Sequence, residues 1–462
     1  MRRVLLSRFN SERLDKSVFR IDTPRLRTGW YSDDYFLTNR FILEQLAKEN
    51  YRFSGQFPDL QAPSDIAQKL NVGDAIVEMQ IFPRRRPFTL VAGVDEALAV
   101  LEEGVGYFND DGNFISTFDQ LEIEAVEDGS FSFYKGNPES VQPVIKIRGR
   151  YRDFALLETV YLGILSEASR IATNVYTLLE AALDKRVLFF PARFAHWKMQ
   201  GLHGYAYAIA VDAFKEAYGQ KAEKLVSTLG QGEWWGGAGA GTVSHSLIAM
   251  FLGDTAEAMY QFCRLVPTER SRIALIDYHN DCCLETRRVI LKLFHEYWHH
   301  YNQGDMAAAE AYRLDAIRPD TSGQLVDKSV RPRSTEDFGV SPELIWNLRE
   351  LLDTFHDDEE VAKLYPPEAL PILKEWCNRI LITATGGFNA EKIAWFHKLG
   401  VPCDSYGVGS SLLENSKNGN TNTDFTADIV RIMINDTWYA NAKTGRRACD
   451  NPALQRYTSR KS

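Results

Sequence analysis

From about residue 155 to residue 414, the sequence alternates between short apolar runs, polar or glycine-rich loops, and longer helical segments. The apolar runs are strand-like, and they are RVLFFPAR (186–193), RIALIDY (272–278), DAIRPD (315–320), RILITAT (379–385) and PCDSYGVG (402–409). Strands separated by helices in this way are typical of an α/β barrel or an open parallel sheet. We therefore expect residues 151–414 to form an irregular parallel α/β barrel, with the active site in the loops that follow its strands.

The first 150 residues have a different pattern, in which alternating apolar and polar residues replace the strand–helix order. Helices are predicted over 35–50 and 94–103. The strand-like segments are 75–92 (two runs joined by an arginine-rich turn), 121–136 and 144–151. We expect residues 1–150 to be a small α+β domain built on an antiparallel sheet, and residues 415–462 to pack back on it.

Composition excludes several classes of function. The chain of 462 residues has a net charge of −9, which argues against a general affinity for nucleic acid or anionic membranes. No apolar run approaches the roughly 18 residues of a membrane span. None of the six cysteines lies in a C-x-x-C pair, which argues against a structural zinc site. We expect a cytoplasmic protein with reduced thiols.

One segment, GGAGAGTVSHSLIAMF (236–251), carries four glycines in six residues and then a helix-like run. Glycine-rich turns that lead into helices bind phosphate groups. Thr242, Ser244 and His245 stand where the loop becomes the helix. A histidine at this place can act as a general base or accept a phosphoryl group as a nucleophile, and a purely structural histidine is the alternative.

Acidic and basic residues end two of the predicted strands. Arg318 and Asp320 are two positions apart in DAIRPDTSG, so both side chains point the same way along a strand. They suit a phosphate or ring contact and a ribose hydroxyl or Mg²⁺ contact, or else form an ion pair at a barrel rim. Asp277 ends the apolar strand of ALIDYHND, where it binds a cation or a hydroxyl or else caps a helix.

Two further strand ends run into glycine turns before helices. TATGGFNAEKI contains Gly386 and Gly387, and YGVGSSLLEN contains Gly409 and Ser410. Backbone N–H groups at such helix starts bind phosphate without a cationic side chain, although glycine also simply permits tight turns.

Taken together, these motifs resemble the nicotinate/nicotinamide phosphoribosyltransferase family, the type II phosphoribosyltransferases. The resemblance runs from about Ser32 to Ile432. Its segments are FYKGNPESVQPVIKIRGRYRDFALLETVYLGILSEASRIAT, AIRPDTSG, ALIDYHND, VSHSLIAMF, ITATGGFNAEKI, DSYGVGSSLLE and SDDYFLTN. The resemblance implies transfer of a phosphoribosyl group from 5-phosphoribosyl 1-diphosphate to nicotinate, with Mg²⁺, and with ATP as a co-substrate that acts through a phosphohistidine.

The resemblance also implies roles for individual residues. His245 would be phosphorylated, Arg318 would contact the pyridine and phosphate region, and Asp277 and Asp320 would hold the ribose hydroxyls and Mg²⁺–pyrophosphate. The residues that would contact substrate elsewhere are Thr242, Ser244, Gly386, Gly387, Gly409 and Ser410, the last four at the 5′-phosphate. Tyr35 would stack on the pyridine across the interface of a homodimer with shared active sites, and Arg193 would sandwich the ring or bind its carboxylate.

The chain departs from the family pattern at two places, which leaves alternatives open. It reads FPARF where many nicotinate enzymes read F-G-x-R-R, so its handling of the pyridine carboxylate differs. It reads GVGSS at the last turn, which shifts phosphate contacts toward Ser410 and Ser411. Lys417 follows this turn and either reaches pyrophosphate or is a solvated loop lysine. The alternatives are a nicotinamide phosphoribosyltransferase, or a non-catalytic barrel that binds phosphoribosyl diphosphate.

Overall fold

The computed structural model of the chain describes residues 13–56, 64–219, 222–237, 239 and 243–458. These residues form two compact units. The first contains the described residues up to Tyr176, the segment Tyr205–Ala213, and the described residues from Glu414 onward. The second contains Thr177–Gly204 and the described residues of Phe214–Leu413.

The described strands are numbered here in chain order. They are β1 (Ile76–Pro83), β2 (Phe88–Leu90), β3 (Gly106–Phe108), β4 (Phe114–Ser116), β5 (Glu122–Ala125), β6 (Phe131–Phe133), β7 (Ile145–Arg150), β8 (Arg186–Phe189), β9 (Leu225–Val226), β10 (Ile273–Leu275), β11 (Ala316–Arg318), β12 (Leu381–Ala384), β13 (Ser405–Val408), β14 (Phe425–Ile434), β15 (Thr437–Ala440) and β16 (Gln455–Tyr457).

The described α-helices follow the periodic segments of the sequence. They are Thr23–Arg27, Asp34–Lys48, Ser64–Ala67, Val94–Gly104, Glu158–Ala182, Gln200–Tyr218, Leu229–Gly232, His245–Met250, Thr255–Leu265, Cys282–Asn302, Met306–Ala311, Pro342–Thr354, Glu359–Ala362, Ala369–Asn378 and Ala390–Lys398. Within the described residues, no helix has the length and apolar character needed to cross a membrane. The six cysteines are free thiols.

The first unit is built on a six-stranded antiparallel sheet with the order β15-β14-β1-β7-β5-β16. Strand β1 pairs along its whole length with β14, from Ile76 opposite Met433 to Pro83 opposite Phe425, and its other edge pairs with β7. Since both edges of β1 are occupied, β2 cannot form a hairpin with it and pairs with β6 instead. The predicted antiparallel sheet is confirmed, and three of its six strands come from the C-terminal part of the chain.

The helix Val94–Gly104 contributes to the apolar core of this first unit. Val94, Ala97, Leu98 and Leu101 of the helix are at most 1% exposed, in the same buried cluster as residues of β1, β5, β7 and β14. The spacing of these four residues follows the three-and-four period of an α-helix, so one helical face is apolar.

The second unit is built on a six-stranded parallel sheet with the order β10-β11-β12-β13-β8-β9. Every neighbouring pair is parallel. The predicted irregular parallel barrel is confirmed as a half-barrel, because among the described residues the end strands β9 and β10 pair with no further strand. The carboxyl ends of all six strands therefore lie at the same edge of this sheet.

These parallel strands are shorter than the apolar runs that predict them. In the run 186–193, β8 ends at Phe189, because Pro191 lacks the N–H group that would continue the ladder and opens a 3₁₀ turn, Pro191–Phe194. Arg193 thus lies in the turn after the strand rather than on the strand itself. This shortening places more of each motif in the loops at the carboxyl edge.

Candidate functional site

A cavity of 610 Å³ lies within the second unit, where the loops after the parallel strands converge. Nine residues singled out from the sequence line it, and they are Arg193, Ser244, His245, Arg318, Asp320, Gly386, Gly387, Gly409 and Ser410. The lining also includes residues that sequence reasoning missed, namely Phe190, Ala192, Phe194, Ser227, Thr228, Ser246, Thr385, Phe388 and Gly407. The volume is in the range of small-molecule sites.

His245 is the first residue of the helix His245–Met250 and lies against Asp277. Ser244 caps this helix, and its Oγ accepts a hydrogen bond from the Leu247 N–H. The Nε2 atom of His245 lies 2.9 Å from Oδ1 of Asp277. Because an ionised carboxylate can only accept, Nε2 carries the ring proton, and the Nδ1 lone pair is left for another partner.

Asp277 supports His245 from a protected position. Its side chain is 8% exposed, whereas that of His245 is 47% exposed. Burial raises the pKa of Asp277 above its ordinary value; His245 and Arg318 oppose this shift, while the nearby Asp320 carboxylate adds to it. Asp277 is not itself among the residues that line the cavity, but it holds the imidazole that does.

Arg318, Asp320 and Thr385 form a hydrogen-bonded group across two neighbouring strand ends. The Thr385 hydroxyl lies 2.6 Å from Oδ1 of Asp320 and accepts from Nη1 of Arg318 at 3.3 Å. Nη1 of Arg318 also lies 3.5 Å from Oδ2 of Asp320, and its Nη2 donates to the carbonyl oxygen of Val243. The ion pair that the sequence left as an alternative therefore exists, and it lines the cavity.

The charge of Arg318 is incompletely compensated. Burial lowers its pKa, as does the positive charge of Arg193, while Asp320 and Asp277 raise it. Its Nε atom is buried and has no hydrogen-bond partner in the described part of the chain. Arg193 is exposed and has no carboxylate partner among the described residues. An anionic ligand would supply the charge that these two guanidinium groups lack.

The turn after β12 is shaped to present backbone N–H groups. Gly386 and Gly387 have φ values of +91° and +69°, in the left-handed region that side chains disfavour. Neither N–H group donates to another described residue. The following helix, Ala390–Lys398, is capped by Asn389. Unpaired N–H groups beside a helix start form an oxyanion site.

Aromatic rings form the apolar part of the cavity lining. Phe190, Phe194 and Phe388 contribute these rings, and the guanidinium carbon of Arg193 lies 5.2 Å from the ring centroid of Phe194. A flat aromatic ligand can pack against such rings. The FPARF segment is the signal that could have identified the two phenylalanines, since they flank Arg193.

Comparison with known proteins gives one family match and two curated relatives. Residues 65–169 match the model described as "Quinolinate phosphoribosyl transferase, N-terminal domain". Nicotinate phosphoribosyltransferase 1 of Arabidopsis thaliana is 24% identical over 368 residues, covering 72% of this chain and 61% of the relative. Nicotinate phosphoribosyltransferase 2 of the same plant is 25% identical, covering 63% and 51%. The matches thus span 51–61% of the length of these relatives.

Over these spans, the chain is similar to type II phosphoribosyltransferases.

Two solved structures share the fold of this chain. Nicotinate-nucleotide pyrophosphorylase from Pyrococcus furiosus aligns with a TM-score of 0.59 and 22% identity, over 93% of this chain and 80% of that structure. Human nicotinic acid phosphoribosyltransferase aligns with a TM-score of 0.50 and 17% identity, over 87% and 74%. At such identities the likeness is one of fold alone.

Besides Asp277, two predicted site residues are not in the cavity lining as described. Tyr35 belongs to the first unit, on the helix Asp34–Lys48, where its side chain is 58% exposed and its hydroxyl donates to Asp33 at 3.3 Å. Its role in a partner's active site stays a prediction. Thr242 lies outside the described residues. Ser411 donates its hydroxyl to the Phe388 carbonyl, so Ser410 alone of the two serines lines the cavity.

The described residues contain no cluster of three or more histidine, cysteine, aspartate or glutamate side chains able to hold a metal ion. The donor set near the cavity consists of two carboxylates, Asp277 and Asp320. Mg²⁺ commonly binds through one or two carboxylates together with substrate phosphates, so this set fits a cation that arrives with a phosphorylated substrate.

Proposed function

We propose that this chain transfers the phosphoribosyl group of 5-phosphoribosyl 1-diphosphate to nicotinate, forming nicotinate mononucleotide and pyrophosphate for NAD synthesis. One observation carries the proposal: His245, the Arg318–Asp320–Thr385 group and the Gly386–Gly387 turn line a single cavity. An acid–base pair, a partly uncompensated arginine and an oxyanion turn in one place suit a phosphorylated sugar with an anionic leaving group.

The proposed ligand positions follow from the chemistry of the lining. The 5′-phosphate binds the N–H groups of the Gly386–Gly387 turn and of Gly409 and Ser410, where backbone approaches the cavity closely. The pyridine packs against the aromatic rings, and its carboxylate pairs with Arg193. That exposed guanidinium favours nicotinate over nicotinamide, because only nicotinate brings a negative charge.

The transfer step needs orientation and charge compensation rather than a nucleophile from the protein. The bond between ribose C1 and pyrophosphate oxygen breaks, and the pyridine nitrogen lone pair forms the new bond to C1. Positive charge develops on the ribose while pyrophosphate takes the electron pair. Arg318 compensates the leaving charge, and Asp320, held by Thr385, faces the ribose. Mg²⁺, held by Asp320 and Asp277 with the substrate, would further neutralise pyrophosphate.

ATP coupling through His245 is part of the proposal. Nε2 donates a hydrogen bond to Asp277 and keeps its proton, so the Nδ1 lone pair is the nucleophile. The Nδ1–phosphorus bond forms as the γ-phosphorus–oxygen bond of ATP breaks, and ADP leaves with the electron pair. Water later cleaves the phosphohistidine to phosphate and free imidazole. Asp277 orients the ring and stabilises the positive charge that develops on it.

We further propose the assembly and setting that this activity implies. Residues 151–414 form the phosphoribosyltransferase domain, and residues 1–150 with 415–462 form the accompanying sheet domain. The enzyme is a cytoplasmic homodimer in which Tyr35 of one copy serves the site of the other. The exposed side chain of Tyr35 is compatible with such a contact.

Parallel assays with nicotinate, nicotinamide and quinolinate test the activity. Each pyridine is incubated with 5-phosphoribosyl 1-diphosphate and Mg²⁺, with and without ATP, and the mononucleotide is quantified. Turnover of nicotinate with the highest kcat/KM, together with ADP release, is expected. Preferred use of nicotinamide or quinolinate would overturn the substrate assignment. Stabilisation by phosphoribosyl diphosphate without turnover of any pyridine would instead identify a binding protein.

A further inference from the structure

Three consecutive arginines, Arg84, Arg85 and Arg86, lie in the first unit between β1 and β2. They line two cavities of 280 and 270 Å³, which also share Asn422 in their walls. Lys417 lines the second of these. We call the surface formed by the three arginines and Lys417 the arginine recess. For the three arginines, the sequence indicated only a turn.

Arg85 is a buried cation fixed by neutral groups. Only 8% of the residue is exposed, and its Nη1 donates to Asn174 Oδ1 at 2.8 Å, Thr423 Oγ1 at 3.2 Å and the Thr421 carbonyl at 3.3 Å. These bonds occupy one nitrogen of the guanidinium and leave Nε and Nη2 without a described partner. Burial, together with the nearby Arg170, lowers the pKa of Arg85 to about 10, so it remains charged at neutral pH.

None of the four cations of the arginine recess forms an ion pair with a described carboxylate. Other basic residues of the same unit behave differently. Arg148, for example, is paired with both Glu78 and Glu122 at 2.6 Å. Because burying an uncompensated charge is costly, the buried Arg85 gives the recess the character of a site whose counter-ion is a ligand.

The position of the nearest acidic group indicates which side of the recess an anion would occupy. Asp424 lines the 280 Å³ cavity, where its carboxylate accepts from Asn422 at 3.0 Å. The 270 Å³ cavity has no acidic residue in its lining and adds Lys417. Asn420 donates to the Arg86 carbonyl at 2.7 Å, which ties the Lys417 loop to the arginine turn.

We propose that the arginine recess is a binding site for a small phosphate-type anion, seated in the 270 Å³ cavity between Arg85, Arg86 and Lys417. The planar guanidinium groups of Arg85 and Arg86 match phosphate oxygens in geometry and charge, and Lys417 adds a further positive charge. The small volume of the cavity and the net charge of −9 favour a mono- or diphosphate group over a nucleic acid.

Two measurements on the full chain test this site. Crystals soaked in tungstate, an anomalous scatterer that mimics phosphate, are expected to show a peak within hydrogen-bond distance of Arg85. In solution, inorganic pyrophosphate is titrated calorimetrically into Arg318→Gln protein, in which the cavity of the second unit binds poorly. Adding Arg84→Gln and Arg86→Gln should weaken the remaining binding at least about tenfold, since charge-assisted hydrogen bonds are lost.

The matched control removes two positive charges of the same unit outside the recess, by Lys48→Gln and Lys69→Gln. Both lysines are exposed, as are Arg84 and Arg86, so all four substitutions spare the core. If the arginine pair lowers Tm, Lys417→Gln replaces it in the titration. The absence of a peak, a peak without measurable binding in solution, or equal weakening by the control would each overturn the site. These outcomes are independent of pyridine turnover, so they separate this site from the proposed activity.

Discussion

Arg148 in the antiparallel sheet and Arg318 at the edge of the parallel sheet are both partly buried, but carboxylates compensate their charges to different extents. Arg148 lies between Glu78, Glu122 and Glu124, all within 3.0 Å, and these carboxylates raise its pKa even though burial opposes the shift. Arg318 has one carboxylate at 3.5 Å and a buried Nε without a described partner, and burial lowers its pKa. The comparison teaches that a compensated arginine stabilises a fold, whereas an undercompensated one is available to a ligand.

The largest expected effect is on catalysis, at Arg318. Arg318→Gln should lower kcat/KM for phosphoribosyl transfer by about 10²–10³, because a group that stabilises transition-state charge is lost. Steady-state kinetics would measure this, and thermal unfolding should show Tm nearly unchanged. A large drop in Tm with normal kcat/KM in the folded fraction would show that Arg318, like Arg148, stabilises the fold and does not serve the reaction.

The second prediction concerns the histidine at the same edge. His245→Ala should abolish ATP-stimulated turnover and leave the ATP-independent rate in place, because no phosphohistidine can form. Acid-labile phosphate on the protein and ADP release are the readouts. His279→Asn is the matched control, since His279 is 48% exposed, is held by Glu285 and is outside the cavity lining. Unchanged ATP stimulation in His245→Ala would refute the role.

The third prediction concerns Arg148, the counterpart of Arg318 in the antiparallel sheet, whose substitution should affect stability. Arg148→Gln should lower the free energy of unfolding by about 1–3 kcal/mol, because Glu78, with a side chain 1% exposed, loses a charged partner. Denaturant unfolding would measure the change. Nicotinate kinetics of the folded protein should match those of the unmodified chain, and a tenfold fall in kcat/KM would break the contrast with Arg318.

A partly buried acid of the first unit, Glu96, predicts a pH effect. Burial raises the pKa of Glu96 to about 8, helped by Asp128 and Glu167, and its buried Oε2 has no described hydrogen-bond partner. The unfolded chain loses this proton near pH 4.5, while the folded chain keeps it until about pH 8. Stability is therefore expected to fall between these values, by at most about 1.4 kcal/mol per pH unit. Glu96→Gln should flatten this slope in unfolding measured from pH 5 to 8.

The smallest expected effect compares two glycines in left-handed conformation. Gly386→Ala, at φ +91°, places a Cβ 3.3 Å from the Thr321 carbonyl and should raise KM for phosphoribosyl diphosphate as well as cost about 1 kcal/mol of stability. Gly445→Ala, at φ +79° with open space around it, carries the same backbone strain in the first unit. It should lower Tm without changing KM. Equal KM values for the two variants would argue against an oxyanion role for the Gly386 turn.

Much of the fold was predictable from the sequence because apolar periodicity is a local signal. Strand runs such as 379–385 and the helix over 35–50 appear within two or three residues of the structural bounds, Leu381–Ala384 and Asp34–Lys48. The pairing of β1 with β14 instead of β2 was not predictable, because β14 is about 350 residues away in the sequence. The family resemblance was also readable in the motifs, and the comparisons confirm it.

The candidate site was predictable where a residue type is unusual for its place. His245 after a glycine loop and Arg318 at a strand end were conspicuous, whereas Thr385 was not, because a threonine in a strand is ordinary. Its bridging contacts to Arg318 and Asp320 depend on the pairing of β11 with β12. Ser227 and Thr228 follow the short strand β9, and the same strand-end rule could have identified them.

The sequence by itself determined where strands end, where glycine allows the backbone to turn, and which charged residues stand at those ends, because these depend on neighbours along the chain. Only the tertiary structure decided which charges are compensated. Arg85, Arg148 and Arg318 look alike in sequence, yet one is held by neutral groups, one by carboxylates, and one faces a cavity. The physical reason is that electrostatic compensation depends on distance in space and on burial, and both are set by strand pairing between distant segments.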